Sequence, residues 1–151
     1  MRWRLVAVGA PGRGFYERGV AHYEGRLARL AQVEIQHVKE GRGDPDAVRA
    51  AEAAALRSRA DGRTVALDER GRAWTTRALA DHVAELELRG TSRLTLWIGG
   101  AEGLDPALRR EADEVWRLSD LTLAHDLARL VLLEQLYRVE ALRAGHPYHR
   151  G

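Results

Sequence analysis

The chain contains no cysteine. Disulfides, thiolate nucleophiles and cysteine-ligated zinc are therefore excluded. Lysine is nearly absent too: of 24 basic residues, all but Lys39 are arginine. No long apolar run occurs. The opening Leu5-Val6-Ala7-Val8 stops at Gly9-Ala10-Pro11-Gly12, too short for a secretion signal, and no stretch is long enough to cross a bilayer. The expectation is a cytoplasmic protein with no membrane partner. Repeats, linkers and low-complexity segments are missing, and the formal net charge is only +2. A polybasic nucleic-acid tail is thus excluded, and a polyanion would have to be met by a local arginine surface.

Several catalytic signatures are missing as well. The run Gly99-Gly100-Ala101-Glu102-Gly103 fits neither the dinucleotide fingerprint nor the P-loop, since no Lys-Ser/Thr follows it. There is no serine nucleophile elbow and no glycosidase-like carboxylate pair. His146 and His149 lack a third ligand at metal-binding spacing, so no metal is expected.

What remains is ordinary in bulk and particular in pattern. The 151 residues, 45% hydrophobic and 30% charged, suit one globular domain spanning 1–151. Apolar periodicity predicts strands over 4–9, 33–38, 64–67 and 94–98, with a partly strand-like stretch at 116–122. It predicts helices over 15–30, 45–59, 76–88, 106–112 and 125–144. A turn is expected at Asp68-Glu69-Arg70-Gly71, and Asp44 with Pro45, and Asp105 with Pro106, read as helix starts. Alternating strands and helices imply an α/β fold: a parallel sheet with helices on both faces. Ligands then sit beyond the carboxyl ends of the strands.

Three segments are candidates for chemistry. The glycines at 99–103 follow a strand; they make either a tight turn or a close backbone approach to a flat ligand. Ser119-Asp120-Leu121-Thr122-Leu123-Ala124-His125 precedes the last helix. It reads either as an N-capped start, with Thr122 or an acid as cap, or as a loop holding a cofactor edge. The tail His146-Pro147-Tyr148-His149-Arg150 is either a frayed polar end or the missing wall of a pocket. Along the last helix Leu127, Leu130, Val131, Leu133, Leu136, Tyr137 and Leu142 make a wide apolar surface, whose surplus points to a second subunit. Glu134 and Arg138 form an i,i+4 pair.

As an ordered set, these motifs resemble the RlmH family of SPOUT-class methyltransferases. The likeness is carried by Leu5-Val6-Ala7-Val8-Gly9, Val65-Ala66-Leu67-Asp68, Ile98-Gly99-Gly100-Ala101-Glu102-Gly103-Leu104 and Leu121-Thr122-Leu123-Ala124-His125. Leu133-Glu134-Gln135-Leu136-Tyr137-Arg138 and the terminal His146-Pro147-Tyr148-His149-Arg150 complete it. The resemblance spans the chain. It implies a homodimer with a C-terminal trefoil knot that binds S-adenosylmethionine, and methylation of N3 of a pseudouridine in 23S rRNA of the assembled ribosome. By position, Leu67, Gly99, Gly100, Leu118, Ser119, Asp120, Leu121, Thr122 and Leu123 hold the cofactor. Tyr148, His149 and Arg150 serve catalysis, and Glu134, Arg138 and His125 meet the substrate. Two positions depart from the family pattern: Ala124 stands where proline is frequent, and Asp126 where glutamine or an apolar residue is frequent.

The tail chemistry suits the reaction thus implied. A uracil-like imide nitrogen must lose its proton to attack a methyl group. His149 is a candidate base, Arg150 a candidate charge stabiliser and Tyr148 a hydrogen-bonding or stacking platform. The competing readings are a non-catalytic dimeric α/β module binding RNA or a nucleotide, and a SPOUT enzyme acting on another RNA nucleoside.

Overall fold

The computed structural model describes residues 1–149. Five strands, β1 (Arg2–Val8), β2 (Gln32–Val38), β3 (Arg63–Ala73), β4 (Arg93–Ile98) and β5 (Glu114–Arg117), alternate with five helices. These are α1 (Phe15–Leu27), α2 (Pro45–Ser58), α3 (Thr76–Leu88), α4 (Pro106–Glu111) and α5 (His125–Arg143). The strands form one parallel sheet in the order β2-β1-β4-β3-β5.

Strand alternation divides the core in two. Trp3, Leu5 and Ala7 of β1 point into a cluster shared with α1, α3 and α5. Val6 and Val8 point the other way, towards α2 and α4. Successive strand residues face opposite sides of a sheet, so each apolar strand serves both layers. The helices lie on both faces as expected. Each connection stepping towards the β2 edge uses α1 or α3, and each stepping back uses α2 or α4. A single crossover hand requires that arrangement.

Local chemistry sets the helix starts. Asp44 accepts from the Ala47 amide at 2.9 Å ahead of Pro45, and Thr75 accepts from Ala78 at 3.1 Å. Asp105 accepts from Ala107 at 2.7 Å. The last helix departs from the expected start: Ala124 is its N-cap, and no side chain caps it. Neither Thr122 nor an acid fills that role.

Part of the apolar surface of α5 is covered within the chain, while Leu127 and Val131 are only half-buried and lie outside both core clusters. The helix packs against both α1 and α3 over the sheet. Leu133, Leu136, Tyr137 and Val139 are buried, with Leu130 and Leu142 packed against them. Each fully buried leucine there contributes about 1.5–3 kcal/mol relative to exposure. A helix covered on two flanks as well as underneath needs a wider stripe than one lying on a sheet edge.

One predicted turn is part of a strand. Leu67 and Arg72 both pair with Trp116 of β5, so residues 68–71 are extruded as a bulge within β3. Gly71 permits it: a Cβ there would lie 2.6 Å from the carbonyl carbon of Val115.

Candidate functional site

Three segments at the carboxyl ends of adjacent strands enclose a cleft of about 470 Å³. The β3 bulge forms one side, beginning at Leu67. The turn after β4 forms the floor. There the Gly103 amide donates to the Gly100 carbonyl at 3.0 Å. A Cβ on Gly99 would lie 2.8 Å from the carbonyl carbon of Gly103, so this turn closes only around a residue without a side chain. The loop from β5 to α5 forms the opposite wall.

Of the nine residues expected to hold a cofactor, eight line this cleft: Leu67, Gly99, Gly100, Leu118, Ser119, Leu121, Thr122 and Leu123. Asp120 does not. Its exposed carboxylate pairs with Arg117 at 3.1 Å instead. His125, expected to meet the substrate, lines the same cleft at the start of α5. Cleft size and lining lie in the range of small-molecule sites, apolar walls with a few polar groups.

Asp68 stands in a motif singled out above, but its polar partners from other elements were not visible in the sequence. Arg109 of α4 bonds Asp68 of the bulge at 3.4 Å, and Asp68 also accepts from the Arg70 amide at 2.8 Å. Arg49 of α2 reaches the Glu102 carbonyl at 3.5 Å. All five residues line the cleft, so it offers both carboxylates and guanidinium groups, suiting a ligand that carries charge of both signs. Asp68, Arg49 and Arg109 lie on three different elements, and no local spacing links them. Beneath the floor, buried Glu52 accepts from the Gly41 amide at 2.9 Å, and a Cβ on Gly100 would come within 3.4 Å of its other oxygen.

A buried cation ties α5 to the sheet. Arg129, 1% exposed, donates through Nη2 to the Val8 carbonyl at 3.1 Å and the Gly9 carbonyl at 3.0 Å. Burial lowers its pKa, with the nearby Asp126 charge opposing the shift. It remains a cation because arginine starts so high. These bonds pin the beginning of α5, and hence the end of the cleft loop, to the tip of β1.

A second cluster lies on α5 itself. Tyr148 Oη donates to Glu134 Oε1 at 3.2 Å, and Arg138 Nε donates to the same oxygen at 3.0 Å. The guanidinium carbon of Arg138 stands 4.7 Å from the centre of the Tyr148 ring. Arg138 Nη1 meets His149 Nδ1 at 3.3 Å. Tyr148 also packs edge-on against Tyr137, ring centres 4.6 Å apart, and Arg26 of α1 lies over both rings at 5.8 and 5.6 Å. Burial, then the Glu134 charge and the Tyr23 hydroxyl, push the Tyr148 phenol up to about 12. Hydrogen bonding to Glu134 raises the Arg138 pKa further. Tyr148 is therefore a neutral donor near neutral pH, not a base.

Thus Glu134, Arg138, Tyr148 and His149 come together, but none of them lines the cleft of its own chain. Arg150 falls outside the described residues. Among the described residues, no group of three or more His, Cys, Asp or Glu side chains is placed to hold a metal ion. No helix among them is long and apolar enough to cross a membrane.

Comparison with known proteins gives concordant results. A family model described as predicted SPOUT methyltransferase matches residues 1–149. The chain is 45% identical over 151 residues to ribosomal RNA large subunit methyltransferase H of Thermus thermophilus, covering 99% of each. It is 43% identical over 156 residues to the protein of that name from Nitrosospira multiformis, again covering 99% of each. Among solved structures, a methylase-family protein from Haemophilus influenzae superposes with a TM-score of 0.56 at 13% identity, covering 99% of this chain and 70% of that one. Another from Neisseria gonorrhoeae gives 0.51 at 14% identity, covering 91% and 82%. At such low identity these two speak for the fold alone.

Proposed function

The chain belongs to the SPOUT methyltransferase family, alongside the ribosomal RNA large subunit methyltransferase H proteins; it is a methyltransferase, and we propose that it transfers a methyl group from S-adenosylmethionine to N3 of a pseudouridine in 23S rRNA of the assembled ribosome. The observation that supports this most is the convergence of Leu67, Gly99–Gly100 and the 118–123 loop on one cleft beyond three neighbouring strands. The relatives' name supports the RNA class. The target nucleoside and the assembled particle follow from the resemblance.

The cleft fits the cofactor. Its volume is adequate, its apolar walls accept a purine, and Asp68 with Arg49 and Arg109 offers partners for a ligand bearing ammonium, sulfonium and carboxylate groups. When bound, S-adenosylmethionine supplies an activated methyl carbon. The chain's own task is then alignment and proton handling. The glycine turn lets backbone close on the ligand, and Arg129 holds the opposite loop in place. We assign the 118–123 loop to the trefoil knot expected for the family.

Because the tail cluster does not line its own chain's cleft, the reading requires a homodimer in which the tail of one protomer faces the cleft of its partner. Tyr148, held neutral, donates or stacks but takes no proton. His149 must accept the imide proton. Arginine only donates, so His149 Nδ1 accepts from Arg138, and the neutral ring then carries its proton on Nε2. In that state neither nitrogen is available as a base. The imide proton moves to His149 once Arg138 releases Nδ1 and turns to the uracil oxygens, where charge develops. Arg150 adds a second cation there.

The test is calorimetric titration of the purified protein with S-adenosylmethionine, its mass in solution measured on the same sample. Saturable binding to a dimer is the expected result. A well-folded dimer that takes up no S-adenosylmethionine would overturn the proposal.

A further inference from the structure

We infer that one face of α1 is a docking surface for the phosphate backbone of the RNA substrate, continuous with the C-terminal cluster. The inference rests on the function proposed above and deepens it. The helix segregates its charges. At 100° per residue, Phe15, Arg18, His22, Arg26 and Arg29, just past its end, fall within a sector of roughly 80°, and Glu17 and Glu24 lie about 150° round from its middle. Glu24 is turned towards β2, where its charge acts on His37. The five residues of the sector are all exposed, Phe15 by 63%.

Eleven arginines elsewhere in the described chain sit in ion pairs, among them Arg57 with Glu111 at 2.7 Å and Arg93 with Asp61 at 2.7 Å. Among the described residues, Arg18, Arg26 and Arg29 have no carboxylate within ion-pair distance, and neither have the exposed Arg2, Arg13, Arg42, Arg72 and Arg110. What sets the first three apart is that they share one helix face. Exposed cations without counter-charges are ready to displace counterions from a polyanion. From Arg18 to Arg29 the stripe runs about 16 Å along the axis, the reach of several nucleotides of backbone. Its position gives it direction. Arg26 lies over Tyr137 and Tyr148, so the stripe ends against the residues proposed to meet the acceptor base. Phe15 at its other end offers an exposed ring for stacking.

The experiment compares the wild-type protein with the double variant Arg18→Gln/Arg29→Gln, which leaves Arg26 and the cluster untouched. A control, Arg2→Gln/Arg89→Gln, removes equal charge from exposed positions elsewhere. Three readouts are taken: methyl transfer to ribosomes lacking the modification, binding of a uridine 20-mer across a salt series, and mass in solution. The expected result for the stripe variant is a KM for ribosomes raised on the order of 10-fold with kcat unchanged. Its salt slope for the 20-mer should fall by about 1.4, roughly 0.7 per lost contact, while the control stays within twofold of wild type. A stripe variant matching the control would overturn the inference and leave the proposed function standing. So would dissociation of the stripe variant to monomers, which would make the stripe a subunit contact. If the wild type methylates no ribosomes but the 20-mer slopes differ as expected, the stripe stands and the proposed substrate falls.

Discussion

Arg138 Nη1 lies 3.3 Å from His149 Nδ1 while the same guanidinium is held by Glu134 Oε1. One cation therefore links a carboxylate fixed on α5 to the imidazole proposed to take a proton. Replacing Arg138 by alanine removes its contact with His149 Nδ1 and, with it, the charge meant for the uracil oxygens. Turnover is expected to fall about 100- to 1,000-fold, the usual cost of losing one charge-stabilising donor. S-adenosylmethionine affinity should stay within twofold, because Arg138 does not line the cleft. Single-turnover methylation beside calorimetry separates the two effects; a loss of affinity matching the loss of rate would contradict the assignment.

Tyr148 gives a pH dependence with a definite sign. The folded chain keeps the phenolic proton up to about 12, whereas an unfolded tyrosine loses it near 10, roughly. The contribution to stability is thus complete below about 10 and is lost as pH rises towards 12. The Tyr148→Phe variant lacks this titration. Its denaturation midpoint should decline less steeply than that of wild type between about pH 9.5 and 11. Parallel declines would show that the phenol is not held this way.

The stronger local signals were legible in the sequence. Pro45 opens its helix as periodicity and capping predict, Thr76 and His125 open theirs as periodicity alone predicts, and the parallel sheet with two helical layers follows from the alternation of apolar runs. The glycine turn and the loop before α5 stand out in the sequence because they follow strand ends, where open α/β sheets collect ligands. Other features were hidden because they depend on partners distant in the chain. Asp120 reads like a loop ligand, yet Arg117 turns it outwards. The segment 68–71 reads as a turn because the β5 backbone that it bulges against lies some forty residues on. The polar contacts of Arg49, Asp68 and Arg109 join separate elements, and only the fold brings them to one cleft.

The bulge supplies its own test. A methyl group at Gly71 would collide with the Val115 backbone, so Gly71→Ala must push β3 from β5 or reshape the bulge. A loss of about 1–3 kcal/mol is expected, as for other overpacked sites, together with weaker S-adenosylmethionine binding because Asp68 and Arg70 line the cleft. Denaturant titration and calorimetry measure the two losses; unchanged affinity would remove the bulge from the cofactor site.

Arg129 tests the brace beneath the cleft. Substitution by methionine keeps much of the volume but leaves the Val8 and Gly9 carbonyls without their donor. The stability loss should be about 1–3 kcal/mol, the cost of stranding buried acceptors, partly offset because a cation no longer has to be buried. Hydrogen exchange of the amides at 118–125 should accelerate in the variant. Protection equal to wild type would mean that the loop is held by something else.

The proposed reaction can be tested directly. The most direct measurement is incubation of the protein with isotopically labelled S-adenosylmethionine and ribosomes lacking the modification, followed by digestion of the RNA and mass spectrometry of its nucleosides. The expected result is one labelled methyl group per large subunit, carried on N3 of a pseudouridine. Label on any other nucleoside, or none transferred by a protein that binds S-adenosylmethionine, would contradict it.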